Sequence, residues 1–385
     1  MFPKSRALFP ISFLLASCVM FQHHPAYSSP PLPHIASKSP PRTIDPGTTD
    51  GLAKLTDGLL GKRAIFIGEI HDRVGHHRNQ LDVIRALHQR HPDMAIGMEY
   101  FQKNFQPYLD DFIAGRIDER QMLRSTEYFK RWKLDYRLIQ PILLYAREHR
   151  IPLLALNVSD EIHYKVFRGG MDSLDAQELK QVPAVIRPAS EHYRQHLLAI
   201  HNSHPSDNTF ENFMAGVLLW DQYMADVTST YLKAHPQAKV VVLAGMSHVM
   251  YGNGIPERVD LALGGNRSAV LINGDEFGKK PGIADYHLAT ASGTQLPKAG
   301  MLGVSIIDVT GGAKISDFST DSAAQSAGIA LGDLIIAIND ARVTGLSDLK
   351  SLLFDKLPGD RMRVTVQRAQ ADTRDAELQF DVALH

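Results

Sequence analysis

Four ionisable side chains of this sequence stand at the ends of short apolar runs, where they could form a reactive site. Glu69 and His71 stand at the end of the run AIFIGEI, and Glu99 lies within the run MAIGMEYF. His248 closes a Gly-x-x-His motif that repeats the one ending at His71. Imidazoles and carboxylates that meet at such a place hold divalent metal ions or act as general acid and base near neutral pH. The pattern therefore predicts a functional site formed by these residues.

Other histidines and aromatic residues give weaker signals. His76 and His77 open the next predicted helix, where an anionic group could meet them beside free backbone N–H groups. His192 and His196 share a helical face at i,i+4 spacing, but without an accompanying Glu they are expected on a solvated surface. The aromatic stripe from Trp220 to Tyr231 is expected to pack in the core.

Nucleotide-binding and serine-hydrolase motifs are missing from the sequence. It contains no Gly-x-Gly-x-x-Gly after a predicted strand and no Walker loop, so nucleotide binding has no support. The stretch Gly245 to Val249 starts like a nucleophile elbow but lacks the second glycine, which argues against a serine hydrolase.

The elements that must position these residues alternate between strands and helices. Apolar runs without period-two alternation predict strands buried on both faces, at 64–70, 94–101, 152–158, 239–245 and 269–273. Asn208 with Glu211 predicts the start of a long amphipathic helix before the fourth run. This alternation predicts an α/β fold with a mainly parallel β-sheet and helices on both faces. Sheets of this kind bind ligands at the carboxyl ends of their strands, where the candidate residues stand.

Composition and charge exclude several classes of protein. The 385 residues are 44% apolar and 22% charged, which is ordinary for a globular protein and unlike a disordered or polytopic membrane protein. Lys and Arg number 41 against 42 Asp and Glu, so no overall field attracts nucleic acid and no nucleic-acid partner is expected. The single cysteine, Cys18, excludes an intramolecular disulfide framework and a cysteine-based zinc or iron–sulfur site.

The N-terminal segment predicts export. Residues 1–18 carry two basic residues before an apolar stretch that is too short to span a bilayer permanently. The stretch Leu15 to Cys18 resembles a bacterial lipobox, in which cleavage before the cysteine precedes its lipidation. The alternative is ordinary secretion with cleavage after Ser28, which would discard Cys18. With a lipobox we expect a lipid anchor in the bacterial cell envelope, at the outer membrane facing the periplasm or the cell surface, because no retention Asp follows the cysteine.

The rest of the chain divides into three segments. Residues 19–50 are rich in Pro and Ser, a composition that favours an extended tether. The α/β domain is expected over 51–292. Residues 293–385 change to short strands and tight turns. The strands are predicted at 302–309, 334–339, 363–367 and 377–382, with short helices at 322–327 and 346–354.

With these motifs in order, the α/β segment resembles the ChaN family of iron-regulated haem-binding lipoproteins. The resemblance rests on G-E-I-H-D with the following H-H-R-N-Q, G-M-E-Y-F, P-L-L-A-L-N, W-D-Q-Y-M-A and L-A-G-M-S-H-V-M-Y-G-N-G-I-P-E-R-V. It implies a domain that binds haem through histidine and tyrosine contacts, with two haems held across a homodimer as one arrangement. The residues that match these motifs and could contact haem are His71, His76, His77, Tyr100, His248 and Tyr251.

The same motifs are similar to those of the more distantly related TIKI/TraB and erythromycin-esterase-like proteins, some of which are hydrolases. On that resemblance His71, Glu99 and His248 would hold a divalent metal ion or activate water, with Glu69 beside them as a further catalytic group. Fold-level similarity does not decide between haem binding and hydrolysis, so both functions stay open.

The C-terminal segment, from about residue 299, resembles a bacterial PDZ domain of the type found in HtrA proteases. Its carboxylate-binding loop matches Met301 to Val304, and the signature that follows matches Ser322 to Ile335. Ala323 stands where Pro is usual, and Asp340 stands in a turn where Gly is usual. The resemblance implies that a peptide C-terminus binds backbone N–H groups and adds a strand to the sheet. The loop residues that would bind it are Leu302, Gly303 and Val304.

Together these patterns favour an extracytoplasmic haem-binding lipoprotein in haem or iron uptake, with a PDZ module that docks a protein partner or a peptide C-terminus. A binding protein is favoured over an enzyme. One alternative is a metal-dependent hydrolase that uses the same Gly-x-x-His residues. Another is a non-enzymatic scaffold built on the α/β fold.

Overall fold

The structure, a computed structural model, shows an α/β domain followed by a smaller β-rich domain. It describes residues 39–203, 207–274, 280–291, 293, 295–370 and 375–385. Cys18 and the export segment lie outside these residues, and so does most of the expected tether.

The first domain is built on a parallel sheet of seven strands in the order β1-β7-β6-β2-β5-β3-β4. Every neighbouring pair in this order runs parallel. The strands are β1 (Arg42–Ile44), β2 (Ala64–Glu69), β3 (Met94–Gln102), β4 (Leu153–Asn157), β5 (Lys239–Gly245), β6 (Ser268–Asn273) and β7 (Tyr286–Leu288). The five strands predicted from apolar runs are β2 to β6, and the mainly parallel α/β fold class is confirmed.

The sheet begins earlier in the chain than the sequence indicated. β1, which lies in the segment expected to be a tether, pairs in parallel with β7 at the edge of the sheet. Both strands have only three residues, which is too short for an apolar run to reveal them. The folded part of the chain therefore starts before residue 51.

Helices cover both faces of this sheet. They are α1 (Thr49–Leu59), α2 (Val74–Arg90), α3 (Gln106–Ile113), α4 (Glu119–Ser125), α5 (Tyr128–Arg131), α6 (Gln140–Glu148), α7 (Asp160–Gly169), α8 (Glu191–Ser203), α9 (Phe210–Ala234) and α10 (Ile255–Ala262). In β2, Ile65 and Ile67 lie in one core with α2 and α6, while Phe66 lies in the other core with α9 and α10. This two-sided burial explains why the strand sequences show no period-two alternation. No helix among the described residues is long and apolar enough to cross a membrane.

The long helix α9 exists as predicted, but its capping residue differs from the predicted one. Thr209, not Asn208, is the N-cap, and its hydroxyl accepts a hydrogen bond from the Asn212 backbone N–H at 3.2 Å. Thr and Asn are both favourable N-cap residues, so the sequence alone does not decide which of these two adjacent residues caps the helix.

The second domain is an antiparallel sheet in the order β13-β12-β10-β9-β8, with β11 paired to β10. Its elements are β8 (Val304–Val309), β9 (Gly312–Phe318), α11 (Ala323–Ser326), β10 (Leu334–Ile338), β11 (Ala341–Arg342), α12 (Leu346–Leu353), β12 (Arg361–Arg368) and β13 (Ala376–Ala383). β9 has no apolar run that would predict a strand, because only two of its residues, Ala313 and Ile315, are buried apolar side chains.

The turn between β10 and β11 forms without the usual glycine. Asn339 and Asp340 have φ angles of 46° and 67°, and Ile338 pairs with Ala341 across the turn. Asn and Asp tolerate this left-handed region better than other side chains. The side chain of Asp340 also pairs with Arg363. The departure from the PDZ pattern at this position therefore leaves the hairpin intact.

Candidate functional site

The structure brings the candidate residues together at the carboxyl ends of three neighbouring strands, β2, β5 and β3. Glu69 lies opposite Gly245 in the β2–β5 register. Glu99 follows Met98, which pairs with Leu243 of β5. The two Gly-x-x-His motifs therefore end side by side, with Glu99 on the far side of β5.

Glu69 is the centre of the first hydrogen-bond network. Its Oε1 accepts from His71 Nδ1 at 2.7 Å and from the Tyr100 hydroxyl, and its Oε2 accepts from the Gln80 amide. Burial alone would raise the pKa of Glu69, but the charge of His77 and the hydrogen bond from His71 lower it to about 2. Glu69 is therefore an ionised carboxylate at physiological pH.

His76, His77 and Tyr100 are held inside the domain. His76 Nδ1 accepts from the Ile70 backbone N–H at 3.0 Å, and His77 Nε2 donates to the His71 carbonyl at 2.9 Å. Burial lowers the pKa of His76 to about 4, so its ring is neutral. Burial and a neighbouring carboxylate raise the pKa of Tyr100 well above its ordinary value, so its hydroxyl keeps its proton. His76 and His77 are only 2% and 3% exposed, so they do not present an open anion site at the start of α2.

His248 forms a second network with an acid that the sequence analysis did not single out. Its Nδ1 lies 2.7 Å from Asp221 Oδ1, and Asp221 Oδ2 accepts from the Tyr193 hydroxyl at 2.7 Å. Its Nε2 lies 3.7 Å from Glu99 Oε1. Burial alone would lower the pKa of His248, but the hydrogen bond to Asp221 and the charge of Glu99 raise it. Asp221 follows Trp220 among the buried residues of α9. An acidic residue within a stretch of helix that otherwise packs in the core is the sequence signal that could have identified Asp221.

Gly245 lets the two networks approach each other. A Cβ atom on Gly245 would lie 3.0 Å from His71 Nε2 and 3.6 Å from Glu99 Oε2. The Gly245 backbone N–H also donates to Glu99 Oε2 at 2.6 Å. His71 and Glu99 therefore flank this glycine, and the His248 Nε2 lies 3.7 Å from Glu99 Oε1. No group of three or more His, Cys, Asp or Glu side chains in the described part of the chain is arranged to hold a metal ion.

Tyr251 lies apart from these networks, on the turn that follows His248. Its φ is 62°, in the left-handed region, and its backbone N–H donates to the Ile283 carbonyl at 2.7 Å. The rings of His192 and His196 meet it edge-on, at centroid distances of 5.1 and 6.0 Å. The sequence predicted that these two histidines lie on a solvated surface. That prediction is wrong, because both rings pack against Tyr251. Their Nε2 atoms are buried and have no hydrogen-bond partner among the described residues.

The second domain holds its predicted carboxylate-binding loop at the start of an edge strand. Leu302 is buried, Gly303 has a φ of 69°, and Val304 begins β8. The Leu302 carbonyl accepts from the Ala324 N–H at 2.9 Å, and the Gly303 carbonyl accepts from the Ser319 N–H at 3.0 Å. These bonds fix the carbonyl side of the loop to the domain. β8 pairs with β9 on one side and ends the described sheet on the other.

Fold and site together define an α/β domain with two histidine–carboxylate networks at its strand ends, joined to a PDZ-like domain. The family model "Haem-binding uptake, Tiki superfamily, ChaN" matches residues 55–259, more than half of the chain, and the chain belongs to this family. A PDZ-domain model matches residues 300–384.

Three solved structures illustrate what the chain is similar to. The structure of ChaN from Campylobacter jejuni, described as showing cofacial haem binding, is 18% identical, with a TM-score of 0.50 over 64% of this chain and 98% of that chain. The HtrA3 PDZ domain with a phage-derived ligand is 19% identical, with a TM-score of 0.20 over 22% of this chain and 85% of that chain. The erythromycin esterase EreC is 14% identical, with a TM-score of 0.37 over 62% of this chain and 77% of that chain. No curated protein matches the chain. At these identities the ChaN structure shows the fold alone.

Proposed function

We propose that the chain is a haem-binding protein and that Tyr251 is the residue that contacts the haem iron. The observation that carries this proposal is a difference in exposure among the six residues predicted to contact haem. Tyr251 is partly exposed. The other five are only 2% to 8% exposed and are hydrogen-bonded within the domain: His71, His76, His77, Tyr100 and His248.

The surroundings of Tyr251 fit a ligand of this kind. Its ring packs against the edge of an apolar core, and the buried Nε2 atoms of His192 and His196 beside it lack partners in the described chain. Buried polar atoms left unpaired are a recurrent mark of a ligand, ion or water site. When bound, haem supplies an iron for which a tyrosine oxygen is a known type of axial ligand. Burial raises the pKa of Tyr251, so the phenol keeps its proton until a ligand engages it.

A haemin titration of the purified full chain tests this function. We expect a saturable, shifted Soret band at one haem per chain, because a specific site fixes the haem environment. The same titration of heat-denatured chain is the control for non-specific haem association. Absorbance that rises without saturation, equally in native and denatured samples, would exclude haem binding.

The homodimer implied by the family resemblance is part of the proposal. Because the Tyr251 side chain is partly exposed, a second copy could meet it across a bound haem. Sedimentation velocity should show a shift from monomer to dimer when haemin is added. A monomer that persists at saturating haemin would contradict this arrangement.

We further propose that the protein is anchored to the outer membrane through Cys18 and takes part in haem or iron uptake. The support is the lipobox-like stretch ending at Cys18, together with a family that is named for haem uptake. Labelling of expressing cells with a fatty-acid analogue, followed by fractionation, tests the anchor. The wild-type chain should be labelled in the outer-membrane fraction, and Cys18→Ser should be unlabelled. Equal labelling of both proteins would contradict the anchor.

For the second domain we propose binding of a peptide C-terminus. The support is the PDZ match, together with a fixed loop at 302–304 that opens an edge strand. Screening the full chain against a library of peptides with free C-termini should yield binders that add a strand along β8. The same peptides with amidated C-termini are the control. Amidated peptides that bind as well as free ones would contradict carboxylate recognition.

Hydrolysis is a second candidate function, with one observation in its favour. His71 and His248 each direct Nδ1 at a buried carboxylate, Glu69 or Asp221, at 2.7 Å, and His248 turns its Nε2 toward Glu99. This is the orientation of a general base held by an acid. The rate of ester hydrolysis by the purified chain should fall in His71→Ala and in His248→Ala. Unchanged rates in both variants would contradict an enzyme and favour the scaffold.

A further inference from the structure

We propose that two sites are coupled because the short helix α5 lies between them. The first is the strand-end site, formed by Glu69 with His71 and Tyr100. The second is the PDZ groove, the cleft between β8 and α12. A peptide entering the groove then acts as an effector of the strand-end site. The coupling goes beyond haem binding, and it rests on the proposed peptide binding of the second domain.

The helix α12 forms one wall of the groove. The backbone N–H of Leu346, its first residue, donates to Asp308 of the edge strand β8 at 2.7 Å. A peptide that adds a strand to β8 must lie against α12, as PDZ ligands do. Occupancy of the groove therefore acts directly on the position of α12.

The opposite side of α12 is docked on the first domain, where it packs against α4 and α5. Arg124 of α4 pairs with Asp348 of α12 at 2.9 Å. Phe354, directly after α12, is 8% exposed, belongs to the core of the first domain and meets Tyr136 edge-on at 5.3 Å. A buried aromatic ring contributes more to the free energy of such a contact than a part-exposed ion pair does. Phe354 is therefore the main anchor of this contact.

Ring contacts at the two ends of α5 link this anchor to the strand ends. Tyr136 meets Tyr128 of α5 at a centroid distance of 5.5 Å. Trp132, which follows α5 and donates its backbone N–H to the Tyr128 carbonyl at 2.8 Å, meets the rings of His71 and Tyr100, each at 5.0 Å. A displacement of α12 therefore reaches the side chains around Glu69 through one four-residue helix.

The helix α5 is held in place by its neighbours rather than by its own backbone. It is flanked by two non-glycine residues in the left-handed region, Glu127 at φ 50° and Lys133 at φ 64°. Such conformations cost about 1–3 kcal/mol each and persist only where the surrounding structure enforces them. Loss of the contact on the PDZ side should therefore loosen α5 and, with it, Trp132.

Hydrogen exchange of the full chain tests the contact without any ligand. Phe354→Ala removes the anchor. The matched control is Phe380→Ala, which lies on β13, the strand at the edge of the second-domain sheet opposite β8. Exchange of the α5 amides should be at least tenfold faster in Phe354→Ala and unchanged in Phe380→Ala. The milder Arg124→Gln, which leaves the PDZ core intact, should accelerate α5 exchange about threefold. Equal α5 exchange in the wild type and in Arg124→Gln and Phe354→Ala overturns the proposal.

The ring signal of His71 in NMR spectra tests whether the contact reaches the strand ends, because the Trp132 ring meets the His71 ring at 5.0 Å. This signal should shift in Phe354→Ala and match the wild type in Phe380→Ala. A peptide with a free C-terminus that binds the groove should shift the same signal in the wild type and not in Phe354→Ala, and an unchanged His71 signal in both experiments overturns the coupling. If no peptide binds, the proposed peptide binding fails, and the Phe354→Ala spectrum decides the coupling.

Discussion

The strand ends and the Tyr251 turn lie next to each other, yet they are built in opposite ways. At the strand ends the ionisable groups are buried and paired, with Glu69 accepting from three side chains and His248 held by a carboxylate. At the turn, Tyr251 has a left-handed backbone, and the Nε2 atoms of His192 and His196 have no partner within the described residues. Paired, buried groups stabilise a fold, whereas a ligand can reach only a side chain that is at least partly exposed, as Tyr251 is. Exposure beside an apolar core, more than the number of histidines, therefore locates the proposed ligand site.

Removal of Glu69 should have the largest effect on stability, because it is the hub of the paired region. Glu69→Leu leaves His71, Tyr100 and Gln80 without their buried acceptor. We expect the free energy of unfolding, measured by urea denaturation, to fall by about 3–5 kcal/mol. The control is Asp50→Asn, whose side chain is 77% exposed and whose change should stay within about 0.5 kcal/mol. A loss below about 1 kcal/mol for Glu69→Leu would mean that the network does not stabilise the fold.

Gly245→Ala should have the next largest effect, because it forces the two paired networks apart. The added Cβ would lie 3.0 Å from His71 Nε2, so the ring must shift. We expect a loss of about 1–3 kcal/mol in urea denaturation and a displaced ring signal of His71 in NMR spectra. At Gly61 a Cβ would meet nothing within 4 Å, so Gly61→Ala is the matched control. Equal stability of the two variants would show that His71 is not held against this backbone.

Acid should weaken the first domain through its buried neutral histidines. Burial lowers the pKa of His76 to about 4, and burial with the charge of His248 lowers that of His163 to about 3, from 6.5. Below pH 6.5 the two histidines are protonated in the unfolded chain, but in the folded chain they stay neutral down to about pH 4 and about pH 3. Their contribution to the free energy of unfolding is therefore complete above pH 6.5 and falls by roughly 1.4 kcal/mol per pH unit for each histidine as the pH drops.

Denaturation curves between pH 7 and 4.5 check this dependence. His163→Phe retains a ring to stack on Trp220, which His163 meets at 3.7 Å, and should remove one histidine's share of the slope. A slope equal to that of the wild type would show that His163 is not buried in its neutral form.

The smallest effect is expected at the turn. His196→Leu gives up no hydrogen bond at Nε2, so its free energy of unfolding should stay within about 0.5 kcal/mol of the wild type. His248→Leu, measured in parallel, leaves the buried Asp221 Oδ1 without the His248 ring and should cost about 3 kcal/mol. Equal losses in the two variants would break the distinction between paired and unpaired regions.

The sequence predicted the fold well because the fold depends on features that a sequence displays directly. Residues 239–245, for example, are buried on both faces of the sheet. An apolar run of that length has few alternatives to a buried strand. The short strands β1 and β7 escaped prediction because three residues carry no periodicity.

The site was only partly predictable. The matching Gly-x-x-His motifs placed His71 and His248 together, since adjacent parallel strands end at the same edge. Asp221 was missed because its distance along the chain from His248 hides their contact. The i,i+4 spacing showed that His192 and His196 share a face, but spacing cannot show that Tyr251 packs on that face.

Haemin titration of Tyr251→Phe beside Tyr100→Phe tests the central claim most directly. Both changes remove one hydroxyl, but Tyr100 donates its hydroxyl to Glu69 inside the paired region, whereas Tyr251 is partly exposed. We expect Tyr251→Phe to lose at least about tenfold in haemin affinity and to alter the Soret band, because the tyrosine oxygen is the proposed iron ligand. Tyr100→Phe should bind as the wild type does. Wild-type affinity and spectrum in Tyr251→Phe, or a loss confined to Tyr100→Phe, would contradict Tyr251 as the iron ligand.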